Sequence, residues 1–132
     1  MSNVIALRDV AYRASKTFEI RDLAMNVPSG SVYGFLGANG AGKTTTIKLI
    51  MGLLPAASGT INVLGEPMPA HAPSILARTG YVPERPHIYP NLTVAEAMRL
   101  HAAFFRRWDD EGARTLQREF RLESDTRVSR LS

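Results

Sequence analysis

One stretch restricts this chain more than any other: Gly37-Ala38-Asn39-Gly40-Ala41-Gly42-Lys43-Thr44, continuing into Thr45. Its spacing is that of a phosphate-binding loop, a glycine, four residues, a second glycine, a lysine and a hydroxyl. With glycine at about 7% of ordinary usage, a chance match in a chain of 132 residues is roughly a one-in-several-hundred event. The context agrees. Upstream, the apolar run Val32-Tyr33-Gly34-Phe35-Leu36 predicts a short strand. Downstream, Ile47, Ile50, Met51 and Leu54 recur at i, i+3, i+4 and i+7, which predicts a helix buried along that face. Strand, glycine loop and helix is the order the motif requires.

The residue types follow from the chemistry of holding an anion. Gly37, Gly40 and Gly42 let the backbone curl so that successive N–H groups converge on one point. A helix starting near Lys43 adds the positive end of its dipole there. Lys43 would reach the β- and γ-phosphates as a point charge, and the Thr44 hydroxyl would hold Mg²⁺. A glycine-rich turn that only joins a strand to a helix is the alternative, and the pattern with its context outweighs it.

Composition narrows the class. At 132 residues the chain is sized for one ordinary domain. Its 45% hydrophobic and 21% charged residues are those of a globular protein rather than a disordered one. No apolar run approaches the ~20 residues of a membrane span, and Arg8 and Asp9 interrupt any secretory signal. The absence of cysteine excludes disulfides and thiolate metal sites. A cytosolic location is the resulting expectation. The net charge of +4 is spread along the chain, with Arg106-Arg107 its densest point. That reads as solvated helix faces, and no nucleic acid partner is expected.

Around the loop, Val4–Tyr12 and Thr17–Val27 read as two strands joined by a short polar connection. Phe18 and Ile20 alternate, then Leu23, Met25 and Val27 do so in the opposite phase, which predicts a bulge near Arg21-Asp22. Pro28-Ser29-Gly30 is a turn. Pro55 stops the loop helix, and Ser58-Gly59-Thr60 turns into a strand over Ile61–Leu64 that ends at Gly65. Pro73 opens a short helix through Ala77, and His71 before it reads as a solvated loop residue. Thr79-Gly80-Tyr81-Val82 predicts a strand that runs into a loop holding Pro83, Glu84, Pro86 and Pro90.

Thr93-Val94-Ala95-Glu96 is a capping box. It opens a helix with Val94, Ala97, Met98, His101, Phe104 and Phe105 on one face and Trp108 at its end. His101 in that stripe reads as a core or interface residue rather than a metal ligand. Asp109 caps a further helix, with Ala113, Leu116, Gln117 and Phe120 buried and Arg118 and Arg121 near its C-terminus.

The succession of Tyr12, Leu23-Ala24-Met25-Asn26-Val27-Pro28-Ser29-Gly30 and Gly34-Phe35-Leu36-Gly37-Ala38-Asn39-Gly40-Ala41-Gly42-Lys43-Thr44-Thr45 resembles the start of an ATP-binding-cassette (ABC) ATPase. The resemblance covers essentially all of the chain but only the N-terminal part of a cassette. It implies an α/β fold: a P-loop NTPase with a RecA-like core, N-terminal antiparallel strands and the start of a helical subdomain. Residues 1–132 would form a single truncated ATP-binding domain, with a nucleotide-binding core over 1–84 and an incomplete helical subdomain over 85–132. The implied ligands are ATP and Mg²⁺. Contacts to them would come from Tyr12 and from Gly37, Ala38, Asn39, Gly40, Ala41, Gly42, Lys43, Thr44 and Thr45. In the family the aromatic at the position of Tyr12 stacks on adenine; a strand-end aromatic packing on its neighbours is the alternative.

Glu84 stands where the family usually has a glutamine that contacts Mg²⁺ and the attacking water. A carboxylate also coordinates Mg²⁺, more strongly than an amide, and adds negative charge beside the γ-phosphate. A solvent-exposed loop glutamate is the alternative. Family branches with glutamate here include bacterial exporters with separate permeases.

The implied function is the ATP-binding subunit of such an exporter, coupling ATP binding and hydrolysis to transport. It would pair with a second cassette and sit on the inner face of the membrane through a separate permease. Phe104, Phe105 and Trp108 would add to that docking or pack within the chain. A second reading is a non-catalytic stub that pairs with or regulates full cassettes. Val128-Ser129-Arg130-Leu131-Ser132 resembles the approach to the family's signature sequence and stops after its first two residues. No apolar strand ends in the Asp-Glu pair that supplies the family's second Mg²⁺ ligand and catalytic carboxylate. Lys43 and Glu84 are then the catalytic positions present, and the expectation is a chain that binds ATP without hydrolysing it. The loop strand, lacking its neighbours in the parallel sheet, would present an unpaired apolar edge.

Overall fold

The computed structural model describes residues 2–85 and 88–131. In the first unit, Met1–Gly80, two long strands set the frame. β1 (Asn3–Arg13) pairs antiparallel with β2 (Glu19–Pro28). On its other side β1 takes β3 (Ser58–Val63), which pairs in turn with β4 (Glu66–Met68), so the sheet runs β2-β1-β3-β4 and is antiparallel throughout. Leu7, Val10, Met25, Val27, Ile61, Val63 and Met68 bury one face of it. Leu49 and Ile50 of α1 (Lys43–Ile50) and Ile75 of α2 (Ala72–Leu76) complete that core. Each such side chain contributes about 1.5–3 kcal/mol by leaving water.

The expected bulge is present. Val10 pairs with Leu23 and Tyr12 with Ile20, so β2 uses three residues where β1 uses two, and Asp22 takes φ 49°. A second bulge lies on β1, between Leu7↔Met25 and Val10↔Leu23, with Asp9 at φ 50°. β3 passes that bulge at Gly59, whose φ is +85°. A Cβ there would lie 2.4 Å from the Asp9 carbonyl oxygen and 2.5 Å from that of Arg8. Only glycine fits that approach.

α1 ends sooner than Pro55. Gly52 (φ +66°) donates to the Leu49 carbonyl at 3.0 Å and Leu53 to that of Lys48 at 2.8 Å, a Schellman cap that closes the helix. Its buried face is Thr46, Leu49 and Ile50, while Ile47 is exposed. The expected stripe is therefore rotated by about one residue, because α1 meets β3 through Leu49 and Ile50.

Two expected strands do not form. Val32–Leu36 is neither strand nor helix, and Val32 and Leu36 are almost wholly exposed. Thr79–Val82 is likewise unpaired, with Val82 exposed. A strand exists through hydrogen bonds to a neighbouring backbone, and no described residue offers these segments one. Among the described residues the loop segment has no parallel-sheet neighbours, as the resemblance to only the N-terminal part of a cassette implied.

The second unit, Tyr81–Ser132, holds α3 (Val94–Ala102), α4 (Asp110–Glu119) and a 3₁₀ turn at Val128–Arg130. The capping box is made in full: Thr93 Oγ1 accepts from the Glu96 N–H at 3.2 Å, and the Glu96 carboxylate accepts from the Thr93 N–H at 2.8 Å. Val94 is buried, its N–H bonded to the Thr126 carbonyl at 2.9 Å. Asp109 caps α4 by accepting the Gly112 N–H at 2.9 Å. Three expectations change. α3 ends at Ala102, before Trp108; His101 is exposed, its ring 5.0 Å from Phe105 and 5.6 Å from Trp108; and Leu116 and Phe120 on α4 remain exposed. Apolar periodicity marks a face for burial, but the burial needs a partner layer that the described residues of this unit do not provide. Pro86 and Ser132 lie outside the described residues.

Candidate nucleotide-binding site

The glycine loop ends on the N-terminus of α1, and its conformation depends on two of its glycines. Gly40 has φ +83° and Gly42, the N-cap residue, φ +91°, both in the left-handed region that other residues avoid. Gly37 is not in that region, and a Cβ there would meet Ala41 at an ordinary 3.4 Å. Its glycine identity is not required by the backbone seen here. Gly42 is also held from below. A Cβ on it would meet Ile20 Cδ1 at 3.3 Å and Phe18 Cζ at 3.4 Å. Gly42 accepts the first helical hydrogen bond, from the Thr46 N–H at 2.8 Å, and Thr46 is buried behind the loop.

Lys43 closes the loop on itself. Its ammonium donates to the Gly37 carbonyl at 2.6 Å and to the Ala38 carbonyl at 2.8 Å. An ammonium has three donors, so one remains. Ala41 donates to the Ala38 carbonyl at 3.2 Å, which tightens the turn before Gly42. The loop residues Gly37 to Ala41 are exposed, as is Thr44, while Lys43 and Thr45 are half-buried.

The start of α1 differs electrostatically from those of α3 and α4, which are capped by Thr93 and Asp109. Gly42 offers no side chain, and the first turn of α1 carries no acidic residue. Its leading N–H groups and the positive end of its dipole are therefore free to face an anion.

Tyr12 belongs to the same unit. It is half-buried near the end of β1, directly opposite Ile20, the residue that supports Gly42. Tyr12, Ala11, Ile20 and Ala57 line an open cleft of about 360 Å³, with Arg13, Glu19 and Arg21 on its rim. Arg13 Nη2 bonds the Glu19 carboxylate at 2.8 Å, and Arg21 pairs with the same carboxylate. These two arginines, Arg13 first, hold the Glu19 carboxyl below its usual value. Glu84 lies in the second unit, exposed in a bend, with no ion pair among the described residues.

Sequence reading missed Phe18 and Ile20 as the support of the loop, and Thr46 as its buried backing. The alternation of Phe18 and Ile20 was visible. That their faces meet Gly42 is a matter of tertiary packing.

A glycine loop closing on a lysine at an open helix N-terminus, backed by an antiparallel sheet with a half-buried tyrosine, has the form of a P-loop ATP-binding domain. A family model described as ABC transporter matches residues 20–132, and the chain belongs to that family. Over 105 residues it is 37% identical to the Nod factor export ATP-binding protein I of Cupriavidus pinatubonensis, covering 80% of this chain and 32% of that protein. Over 102 residues it is 40% identical to the bacitracin transport ATP-binding protein BcrA of Bacillus licheniformis, covering 77% of this chain and 33% of that one. The chain thus spans about a third of the length of the curated relatives it matches. Among solved structures, the ATP-binding subunit of an ABC transporter superposes with a TM-score of 0.81 at 30% identity, covering 98% of this chain and 56% of that one. The fold is that of the ABC ATP-binding domain, present here in part, and the family is one of ATP-binding transport ATPases.

Proposed function

We propose that this chain forms the nucleotide-binding part of the ATP-binding subunit of an ABC exporter. The observation that carries this reading is the loop itself: Gly40 and Gly42 in left-handed conformations, Lys43 bonded back to the Gly37 and Ala38 carbonyls, and a helix start with no side-chain cap. Phosphate oxygens are better partners for the Lys43 ammonium than the neutral carbonyls of Gly37 and Ala38, because both partners are then charged. The backbone from Gly37 through Thr45 supplies the N–H groups that surround the β- and γ-phosphates. The Tyr12 ring offers a flat π-face to adenine.

Mg²⁺ fits the donor set. No cluster of three His, Cys, Asp or Glu side chains that would hold a metal alone occurs among the described residues. The ion would be held by the nucleotide phosphates and the Thr44 hydroxyl, hard oxygen donors. When bound it neutralises phosphate charge. The division of labour we assign is a nucleotide-binding core over 1–84 and the start of a helical subdomain over 85–132.

The names of the relatives, both transport ATP-binding proteins, support the exporter reading over a regulatory stub. No helix among the described residues is long and apolar enough to cross a membrane. By the family resemblance we assign the crossing to a separate permease, with this subunit on the cytoplasmic face and paired with a second cassette. These residues by themselves bind ATP and do not turn it over, since positioning of the attacking water is not supplied by a phosphate loop alone.

The test is equilibrium binding of ATP to the wild type and to Lys43→Ala. The variant should bind at least tenfold more weakly, the scale of one charge-assisted contact. Equal affinity would sink the reading, and turnover by residues 1–132 that disappears in Lys43→Ala would overturn the non-hydrolysing part of it.

A further inference from the structure

A second anion site emerges at the other end of the chain. α4 and the segment after it border an open cleft of about 530 Å³ whose lining includes Arg114, Gln117, Arg118, Arg121, Leu122 and Glu123. Arg114 and Arg118 are one helical turn apart, and Arg121 follows the C-cap. Arginines at a helix C-terminus ordinarily serve its carbonyls. Here those carbonyls are already engaged. Arg121 donates its backbone N–H to the Arg118 carbonyl at 3.0 Å, and Leu122 donates to that of Gln117 at 2.9 Å. Gln117 Nε2 bonds the Leu122 carbonyl at 2.9 Å and Ser124 Oγ at 2.8 Å.

The guanidinium groups are left with little else to do. Arg118 donates to Thr115 Oγ1 at 3.0 Å, and none of the three arginines forms an ion pair among the described residues. Arg121 moreover sits at φ 53°, at the helix-ending position where glycine is usual. Glu123 is the one carboxylate among the lining residues.

We propose that this cleft binds a phosphate group, carried by a soluble phosphate compound or by a phospholipid headgroup. Guanidinium forks match phosphate oxygens two at a time, and several of them around one cleft select phosphate over a monovalent anion. Glu123 works against the bound anion and limits its affinity. The site lies within the second unit and does not depend on the exporter reading.

The experiment uses the full native protein at constant ionic strength, with the side-chain Nε–H signals of Arg114, Arg118 and Arg121 followed by NMR. Pyrophosphate should shift them saturably, and the shifts should survive Lys43→Ala, which removes the contribution of the loop. The double variant Arg114→Gln/Arg118→Gln should weaken binding about a hundredfold, tenfold for each charged contact. Glu123→Gln should tighten it severalfold, a gain that no purely structural role for these residues explains. In parallel, flotation with phosphatidylglycerol and phosphatidylcholine vesicles separates the sources. Arginine-dependent capture by the anionic vesicles alone assigns the site to a headgroup, and capture by neither assigns it to a soluble phosphate if the pyrophosphate shifts are seen. The proposal is overturned if pyrophosphate gives no saturable shift and the anionic vesicles capture nothing, or if chloride reproduces the shifts. If the double variant fails to fold, the wild-type shifts and Glu123→Gln decide, and an unchanged affinity in Glu123→Gln counts against the site.

Discussion

Replacing Gly59 by alanine tests the packing of the sheet that carries the nucleotide-binding loop. Two terms oppose an alanine there. Its φ of +85° lies in the left-handed region, a cost of about 1–2 kcal/mol for a residue with a Cβ. The new Cβ would also stand 2.4 Å from the Asp9 carbonyl oxygen, about 0.9 Å inside a normal C···O approach. The opposing atoms are backbone at the β1 bulge, so relief requires β1 and β3 to part, and forced overpacking adds about 1–3 kcal/mol. Gly59→Ala should therefore cost about 2–5 kcal/mol, a large share of a typical domain's stability of roughly 5–15 kcal/mol. Gly65→Ala is the matched control. Its φ is +81°, in the β3–β4 turn, but nothing lies within 4 Å of its added Cβ, so only the strain of about 1–2 kcal/mol remains. Urea unfolding of the two variants beside the wild type reads the difference. With a slope of about 2 kcal/mol per molar urea, Gly59→Ala should lower the midpoint by roughly 1–2.5 M and Gly65→Ala by no more than about 1 M. Equal shifts in the two variants would refute the close approach of β3 to the bulge.

Tyr12→Ala should weaken ATP binding by at least about fivefold, the lower end of what stacking on one base contributes, while leaving inorganic tripolyphosphate binding unchanged. Loss of both ligands alike would mean that Tyr12 serves packing rather than the base. The Thr93 N–H first, then its hydroxyl, hold the Glu96 carboxyl below its usual 4.5. A lowered folded value places the stabilisation above the unfolded value and removes it as pH falls through the folded one. The advantage of wild type over Glu96→Gln in thermal melts should then be full at neutral pH and vanish in acid; an advantage unchanged by acid would contradict the assignment. Arg121→Gly relieves a left-handed arginine at the end of α4 and should stabilise the second unit by about 1 kcal/mol in denaturant unfolding, with a loss of stability arguing the reverse.

Local signals in this chain could be read without the structure. The loop pattern and its lysine are one such signal; the capping box at Thr93 and Glu96, the Asp109 cap and the bulge at Asp22 are others. Each involves groups a few residues apart, or a phase change within one strand, so side-chain chemistry in the immediate neighbourhood decides it. The second bulge at Asp9 lies outside the expectations although β1 carries the same kind of signal, Ile5 and Leu7 alternating in one phase and Val10 and Tyr12 in the other. The end of α1 at Gly52 was assigned to Pro55, since a proline is the louder stop signal although the glycine acts first.

Everything that depends on a distant partner was undetermined by pattern. The apolar run Val32–Leu36 looks like a strand and remains unpaired and exposed, and Thr79–Val82 likewise forms no strand. The residues record a preference for burial, whereas a strand is a bond between two segments of backbone. Likewise α1 buries Thr46, Leu49 and Ile50 rather than a face containing Ile47, because β3 lies on that side. Phe18 and Ile20 become the support of Gly42 only once β2 has folded beside the loop. The sequence by itself determined the kind of loop, its chemistry and the helix starts, because these arise from neighbouring residues. Tertiary structure alone decided which faces meet, which glycines cannot be replaced and which apolar segments find a partner, because contacts between distant segments are a property of the folded chain.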